Sequence, residues 1–406
     1  MPGLTKAQRL LINNIKEGAS ITLPKVYFAG SRAQSHRESL VKKVDLLFDR
    51  VGVAKLIRPH SLVAIKLHFG ERGGTAFLNP VLVRRIVEKV KEAGGKPFLC
   101  DSNTLYTGGR TNAVDHLETA LQHGFSYATV GAPLLILDGL RGHGYYNVAI
   151  EGKHFNSVQI GAAVVEADLL IVLSHVKGHM MTGFGGAIKN LSMGCSSRTG
   201  KQKMHSAVKP VINSEKCRRC GNCIRWCASE AIVLADDQDG VARINPEKCT
   251  GCGECVVSCR HGAVKVQWRT ALPELSERMV EFACGTMQGK RGAAVFFNFL
   301  LDVIPDCDCN SWSDLPIVPD IGLLASTDPV AADQAAVDLI NARPGIAGSA
   351  LPDAYERGDD KFLTLYPKAD YRVKLAYAEK MGLGSRRYRL VQLDQPGKEE
   401  SEDGKD

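Results

Sequence analysis

The sequence predicts an α/β protein: a domain on a largely parallel sheet, interrupted by a small cysteine-rich α+β insert. Three observations lead there. Short apolar runs alternate with amphipathic helical patterns along the first half of the 406-residue chain; a dense cysteine stretch follows; further apolar runs and a helix come after it. Strands that alternate with helices are joined by crossovers, which favours parallel pairing with helices on both faces.

Residues 1–24 are expected to form an N-terminal arm. Leu4, Ala7, Leu10, Leu11 and Ile15 recur at helical spacing, and the segment has no apolar stretch of signal-peptide length. The first part of the α/β domain spans 25–209. Its strands are expected at 25–30, 61–67, 96–101, 133–138 and 168–174, its helices at 38–51, 80–94, 112–123 and 158–167. Asn79 before Pro80 is an N-cap with proline at the first helical position, and Gly94 and Gly95 stop that helix. A short helix is expected at 186–192. The insert occupies 210–268. The second part of the domain, 269–395, supplies strands at 293–301 and 321–326 and a helix at 328–341 capped by Thr327 or Asp328. The tail 396–406 is polar and expected to fray.

With 44% hydrophobic and 23% charged residues the composition is that of a soluble globular protein, and no run reaches the length of a membrane span. Thirteen cysteines without a secretion signal indicate reduced thiols and metal in a cytoplasmic protein of an anaerobe. The net charge of +7 comes without a dense basic tract interleaved with aromatics, so nucleic acid is not the expected partner; an acidic redox protein is.

The insert carries "CRRCGNCIRWC" and "CTGCGECVVSC", each C-x2-C-x2-C-x3-C. This is the spacing of bacterial two-cluster ferredoxins, in which three thiolates hold one [4Fe–4S] cube and the fourth reaches to the other. Cluster one is assigned to Cys217, Cys220, Cys223 and Cys259; cluster two to Cys249, Cys252, Cys255 and Cys227. Gly221, Gly251 and Gly253 let the backbone approach the sulfides. Ala228 and Arg260 stand where proline usually follows the fourth cysteine. Cysteine pairs of this kind also bind zinc, but two matched quartets select cubes. Lys216, Arg218, Arg219, Arg225 and Arg260 make the rim of cluster one basic, whereas Glu254 adds a negative charge near cluster two.

"IKLHFGE", "DSNTLYTGGR", "HVKGHMMTGFGGAIKNLSMGC", "DCDC" and "ASTDPVAADQA", in that order, resemble the iron–sulfur members of the domain of unknown function 362 family. The resemblance runs from about residue 25 to 345. It implies ferredoxin-type electron transfer beside an α/β domain and supplies no particular reaction.

Five cysteines lie outside the quartets: Cys100, Cys195, Cys284, Cys307 and Cys309. In an extended segment Cys307 and Cys309 project to one side, with Asp306 and Asp308 on the other. Cys195, after another strand, is expected to join the pair in a third site for a [4Fe–4S] cluster or single soft metal; packing of reduced thiols accounts for them equally. Gly178, Gly183, Gly185 and Gly186 lead into a helix whose N-terminus can present N–H groups to an anion, with Lys189 and Asn190 beside it; a turn for close helix–sheet packing is the alternative. His68, His175, His179, His205 and Lys66 are candidate proton donors. Asp101, Asn103 and Arg110 are candidates for binding an unknown small molecule. The overall reading is an electron-transfer protein or oxidoreductase that passes low-potential electrons from a ferredoxin, flavodoxin or larger redox complex into the α/β domain. A non-catalytic subunit and a metal or cluster maturation scaffold are the alternatives.

Overall fold

The structure, a computed structural model, describes residues 22–106, 108–205, 209–235, 240–249, 251, 253–266 and 271–393. The expected arm up to residue 21, the tail 396–406 and the cluster-two cysteine Cys252 lie outside the described residues.

The first part of the chain forms β1 (Lys25–Gly30), α1 (Leu40–Val51), β2 (Leu62–Lys66), α2 (Pro80–Glu92), β3 (Lys96–Asp101), α3 (Ala113–Gln122), α4 (Tyr127–Val130), β4 (Leu134–Ile136), β5 (Tyr145–Ala149), β6 (Ser157–Gly161), α5 (Ala162–Glu166), β7 (Leu169–His175), β8 (Lys177–His179), β9 (Gly183–Gly185), α6 (Ala187–Ser192) and α7 (Arg198–His205). The cysteine-rich stretch follows with β10 (Val211–Ile212), α8 (Asn222–Arg225), β11 (Ile232–Leu234), β12 (Ala242–Ile244), α9 (Glu254–Ser258) and β13 (Val264–Lys265). The chain then returns through α10 (Leu272–Thr286), β14 (Ala294–Leu300), β15 (Gly322–Ser326), α11 (Pro329–Asn341), α12 (Lys361–Leu365), α13 (Tyr371–Lys380) and β16 (Arg389–Gln392).

Eight strands form one sheet in the order β16-β1-β15-β14-β7-β2-β3-β4. Its pairings are parallel except where β15 meets β1 and β14, so the expected largely parallel sheet is present. Every residue of β7 and β14 is buried, as central strands covered on both faces require. The two-residue period sorts them. Leu169, Ile171 and Leu173 face one core with Leu47 and Phe48 of α1 and Ile86 of α2. Leu170 and Val172 face the other, with Ile188 of α6, Phe282 of α10 and Ala332 of α11. Burying each such leucine or isoleucine stabilises the fold by roughly 1.5–3 kcal/mol.

Asn79 caps α2 by accepting the Val81 N–H, and Asp328 caps α11 by accepting those of Val330 and Ala331. The helix expected at 158–167 needs correction: its first half is strand β6, and only Ala162–Glu166 is helical. Val158 and Ile160 alternate into the core as β6 pairs with β5, and that two-residue period prevails over the helical reading. Each cysteine motif includes one helical turn, α8 in the first and α9 in the second. The motifs are framed by the antiparallel pairs β10–β13 and β11–β12. No helix among the described residues is long and apolar enough to cross a membrane.

Candidate functional site

The strands β3, β2, β7 and β14 run parallel, so their carboxyl ends share one edge of the sheet. Open α/β sheets bind ligands in a crevice at that edge. Here it is a cavity of about 540 Å³ whose wall includes the last residues of β2, β3 and β7: Lys66, Asp101 and His175. Lys66 is fully buried. Its Nζ lies 2.9 Å from Asp101 Oδ1, 2.7 Å from Asn190 Oδ1 and 2.8 Å from the Leu67 carbonyl. Arg110 reaches Glu71 at 3.1 Å and Asp101 at 3.7 Å. These pairs compensate charges that burial alone would make very costly.

Five histidine and lysine candidates, His68, His175, His179, His205 and Lys66, all line this cavity, as do Asp101, Arg110, Gly185, Gly186, Lys189 and Asn190. His68 Nδ1 accepts the Gly70 N–H at 2.9 Å, and its Nε2 lies 2.9 Å from Arg110 Nη1. Burial and the Arg110 cation hold its pKa well below the ordinary histidine value. His175 instead anchors a loop. Its Nε2 lies 3.0 and 2.9 Å from the carbonyls of Leu301 and Asp302, and its Nδ1 2.8 Å from Asp308 Oδ1. Lys177 bonds the other Asp308 oxygen at 2.7 Å. Burial would raise Asp308, but His175 and Lys177 outweigh it and hold the carboxyl below its usual range. Lys201 bonds the Ser196 carbonyl at 2.7 Å and Ser102 Oγ at 2.5 Å; burial lowers its pKa to about 8.

The segment Cys307–Cys309 is not extended as expected. It turns, with the Asn310 N–H bonded to the Cys307 carbonyl at 2.9 Å and the Cys309 N–H directed to Cys307 Sγ at 3.4 Å. Both sulfurs line the cavity beside His179, and the three ligand atoms lie within 4.8 Å of one another. Gly178 makes this approach feasible: a Cβ there would stand 1.9 Å from the Pro305 carbonyl oxygen. Lys189 Nζ is 3.2 Å from Cys307 Sγ. The hydrogen bond from Cys309, against the cost of burial and with help from Lys189 and His179, holds Cys307 well below the usual thiol pKa, while Cys309 is raised.

Three expectations change. Cys195 does not join Cys307 and Cys309: it is fully buried in the apolar core, its carbonyl holds the Gly161 N–H, and burial raises its thiol to about 12. His179 stands beside the pair instead. Cys284 sits on α10, outside the cavity wall. Second, the N-terminus of α6 is already filled. The Ala187 and Ile188 N–H groups donate to Asp333 of α11 at 2.6 and 3.0 Å, and a Cβ on Gly186 would lie 2.3 Å from that carboxylate. The anion at this helix is the protein's own, and Gly186 provides close packing. Gly183 likewise packs against the Ala369 carbonyl. Third, Asn103 lies off the cavity wall, bonded to Asp138 at 3.0 Å and to the Gly139 carbonyl at 2.8 Å.

In the cysteine-rich stretch one small cavity is lined by Cys217, Cys220, Cys223 and Cys259, and another by Cys227, Cys249 and Cys255. Cys259 and Cys227 each accept the backbone N–H four residues on, from Ala263 and Ala231, both at 3.2 Å. The second motif packs on α7. Glu254 is buried and bonds Arg198 at 2.7 Å, with His143 at 3.2 Å and Arg141 at 3.5 Å, so it is not the free negative charge expected near cluster two. Leu105 belongs both to the apolar cluster of this stretch and to the wall of the large cavity.

Sequence reasoning missed α7. "RTGKQKMH" reads as a solvated helix, yet Arg198, Lys201 and Gln202 are buried. The one available signal was spacing: Arg198 and Gln202 share a face, as do Lys201 and His205. The first pair meets the second cysteine motif, and the second pair lines the cavity.

A family model, domain of unknown function (DUF362), matches residues 63–338. A curated thylakoid-associated protein of Synechocystis sp. is 28% identical over 169 residues, which is 40% of this chain and 49% of that protein. The chain thus aligns with about half the length of this relative. Among solved structures, the lactate racemase apoprotein from Thermoanaerobacterium thermosaccharolyticum aligns at 14% identity and TM-score 0.40, over 80% of this chain and 58% of that one. A Thermotoga maritima protein aligns at 10% identity and TM-score 0.35, over 85% and 59%.

Proposed function

The chain belongs to the DUF362 family, whose model covers residues 63–338, and from that premise we propose that this member is an iron–sulfur oxidoreductase whose ferredoxin-like unit, residues 210–268, delivers electrons to the cavity at the sheet edge. When bound, two [4Fe–4S] clusters would supply one-electron carriage between an outside donor and that cavity.

The residues present fit such groups. The first small cavity has the donor set expected for cluster one, including the crossed Cys259, and the second has the described members of the set for cluster two, including the crossed Cys227. The matched N–H bonds to the two crossing sulfurs would stabilise thiolates as ligands. A buried orphan points the same way. Among the described residues neither polar atom of the Gln202 amide has a hydrogen-bond partner, and its side chain lies against Gly251 and Gly253, which flank Cys252. An amide donor held there suits an anionic group in that loop.

The single observation that carries the reading is the placement of the second motif. It is seated on α7 and Leu105, which also wall the 540 Å³ cavity. The first motif is turned outward: Cys220, Lys216, Arg218, Arg219, Arg225 and Arg260 are exposed. Electrons would arrive at this basic rim from an acidic ferredoxin or flavodoxin and leave by the buried side. A carrier without chemistry of its own would have no use for a cavity that collects Lys66, Asp101, Arg110, Lys201 and neutral His68.

Anaerobic reconstitution tests the proposal. About eight irons and eight sulfides per chain are expected from two cubes. Cys227→Ser is expected to alter the EPR signal of one cluster and spare the other. Zinc in place of iron, or a protein that takes up no sulfide, would overturn it.

A further inference from the structure

We propose a mononuclear metal site in the cavity, formed by His179, Cys307 and Cys309 and open at its fourth position. It rests on the preceding reading only in sharing the same cavity, and it holds a single divalent ion of the zinc class.

The geometry is that of one ion. Ligand atoms 2.0–2.3 Å from a tetrahedral centre are about 3.3–3.8 Å apart, and the three atoms here lie within 4.8 Å of one another without a metal to draw them in. Two sulfurs and an imidazole nitrogen select a borderline or soft ion and disfavour magnesium or calcium. Three protein ligands with the fourth position left to water or substrate is the pattern of catalytic rather than structural zinc. All three residues line the cavity, so the open position faces the space where a substrate binds.

The surroundings hold the ligands in place. His179 Nδ1 accepts the Met181 N–H at 3.3 Å and lies 3.0 Å from Thr182 Oγ1, so Nε2 is the nitrogen left for the sulfurs. Thr182 Oγ1 also stands 3.2 Å from the Phe184 carbonyl. A metal on Nε2 would require the ring proton to sit on Nδ1, where Thr182 Oγ1 can accept it while its hydroxyl donates to the Phe184 carbonyl. Lys189 at 3.2 Å supports the Cys307 thiolate. Asp308, between the two cysteines, is clamped by His175 and Lys177, so the loop has little freedom to swing away. An ion here would polarise an oxygen of a bound substrate. Lys201, held on the same wall by the Ser196 carbonyl and the Ser102 hydroxyl, favours a small anionic substrate, such as a carboxylate.

The test uses the full-length, cluster-reconstituted protein dialysed against one equivalent of Zn²⁺. Zinc uptake is counted by elemental analysis and its ligands are read by zinc K-edge absorption. The expected result is one zinc per chain with two sulfur neighbours at about 2.3 Å and a histidine nitrogen at about 2.0 Å. Cys307→Ser/Cys309→Ser should abolish uptake while iron and sulfide stay unchanged. Thr182→Val, which removes only the partner of His179, should weaken zinc binding 10–100-fold. Zinc uptake that is equal in the double variant, or a sulfur-free zinc shell, overturns the site. A parent protein that binds one zinc with this shell but takes up no iron would instead overturn the two-cluster reading and leave this site standing.

Discussion

Glu254→Gln is expected to loosen the cysteine-rich unit from the α/β domain without unfolding either. The Glu254 side chain is 3% exposed and the Arg198 side chain 1%, and they meet at 2.7 Å. Breaking a buried pair by removing one partner costs about 3–5 kcal/mol, because the other charge loses its principal compensation. Arg141 and His143 are 43% and 48% exposed, so their shares are worth at most about 1 kcal/mol each. Arg198 retains the carbonyls of Thr104 and Thr111, which softens its loss. The lower end, about 3 kcal/mol, is therefore expected, or roughly 10²-fold in the local opening equilibrium. Native-state hydrogen exchange reads it. Amides of α7 and α9 should exchange about 10²-fold faster, while those of β7 and β14 stay as they are. A double variant, Arg198→Met with Glu254→Leu, should recover much of the loss, since apolar replacement of both partners removes the unpaired charge. If the single variant exchanges like the parent protein, or the double variant is as loose as the single one, the clamp is not what seats the unit.

Three further outcomes are expected. Gln202→Leu should lower the reduction potential of one cluster and leave the other within error, as measured by EPR-monitored titration, because it deletes a donor that favours added negative charge; two unchanged potentials would show the amide plays no such part. Arg218→Gln with Arg219→Gln should slow association with an acidic ferredoxin at low salt and flatten its salt dependence, and stopped-flow rates that match the parent protein at every ionic strength would refute the basic docking rim. Burial lowers the Lys374 pKa to about 7, so the unfolded chain binds the extra proton between about pH 7 and the ordinary lysine value, and stability should rise with pH across that window. Lys374→Met should flatten the rise in urea titrations, and an unchanged slope would mean that the buried lysine stays charged.

Much of the architecture follows from the sequence alone, because period and spacing are local. The continuous apolar runs of β7 and β14 are those of strands covered on both faces, and the caps at Asn79 and Asp328 are written in single residues beside a proline. The two cysteine quartets are legible for the same reason, since their cysteines stand three and four residues apart. Lys66, Asp101, His175 and His68 were legible because they end or closely follow strands, and strand ends are where open sheets bind ligands.

What the tertiary structure decided concerns pairs that are far apart in the chain. Asp333 lies 146 residues from Ala187, yet it takes the N–H groups that the glycine-rich loop had been expected to offer a ligand. The loop alone shows that an anion fits there, and only the fold shows that a carboxylate is already in place. His179 reaches Cys307 because Gly178 lets β8 press against Pro305, whereas Cys195 is drawn into the core with its carbonyl on Gly161. Helix α7 has the composition of a solvated helix and becomes an inner wall only because the second cysteine motif covers one of its faces and the cavity occupies another. Backbone conformation responds to neighbours along the chain, so a sequence displays it directly. Which charge is compensated, and by what, depends on groups that meet only after the chain has folded.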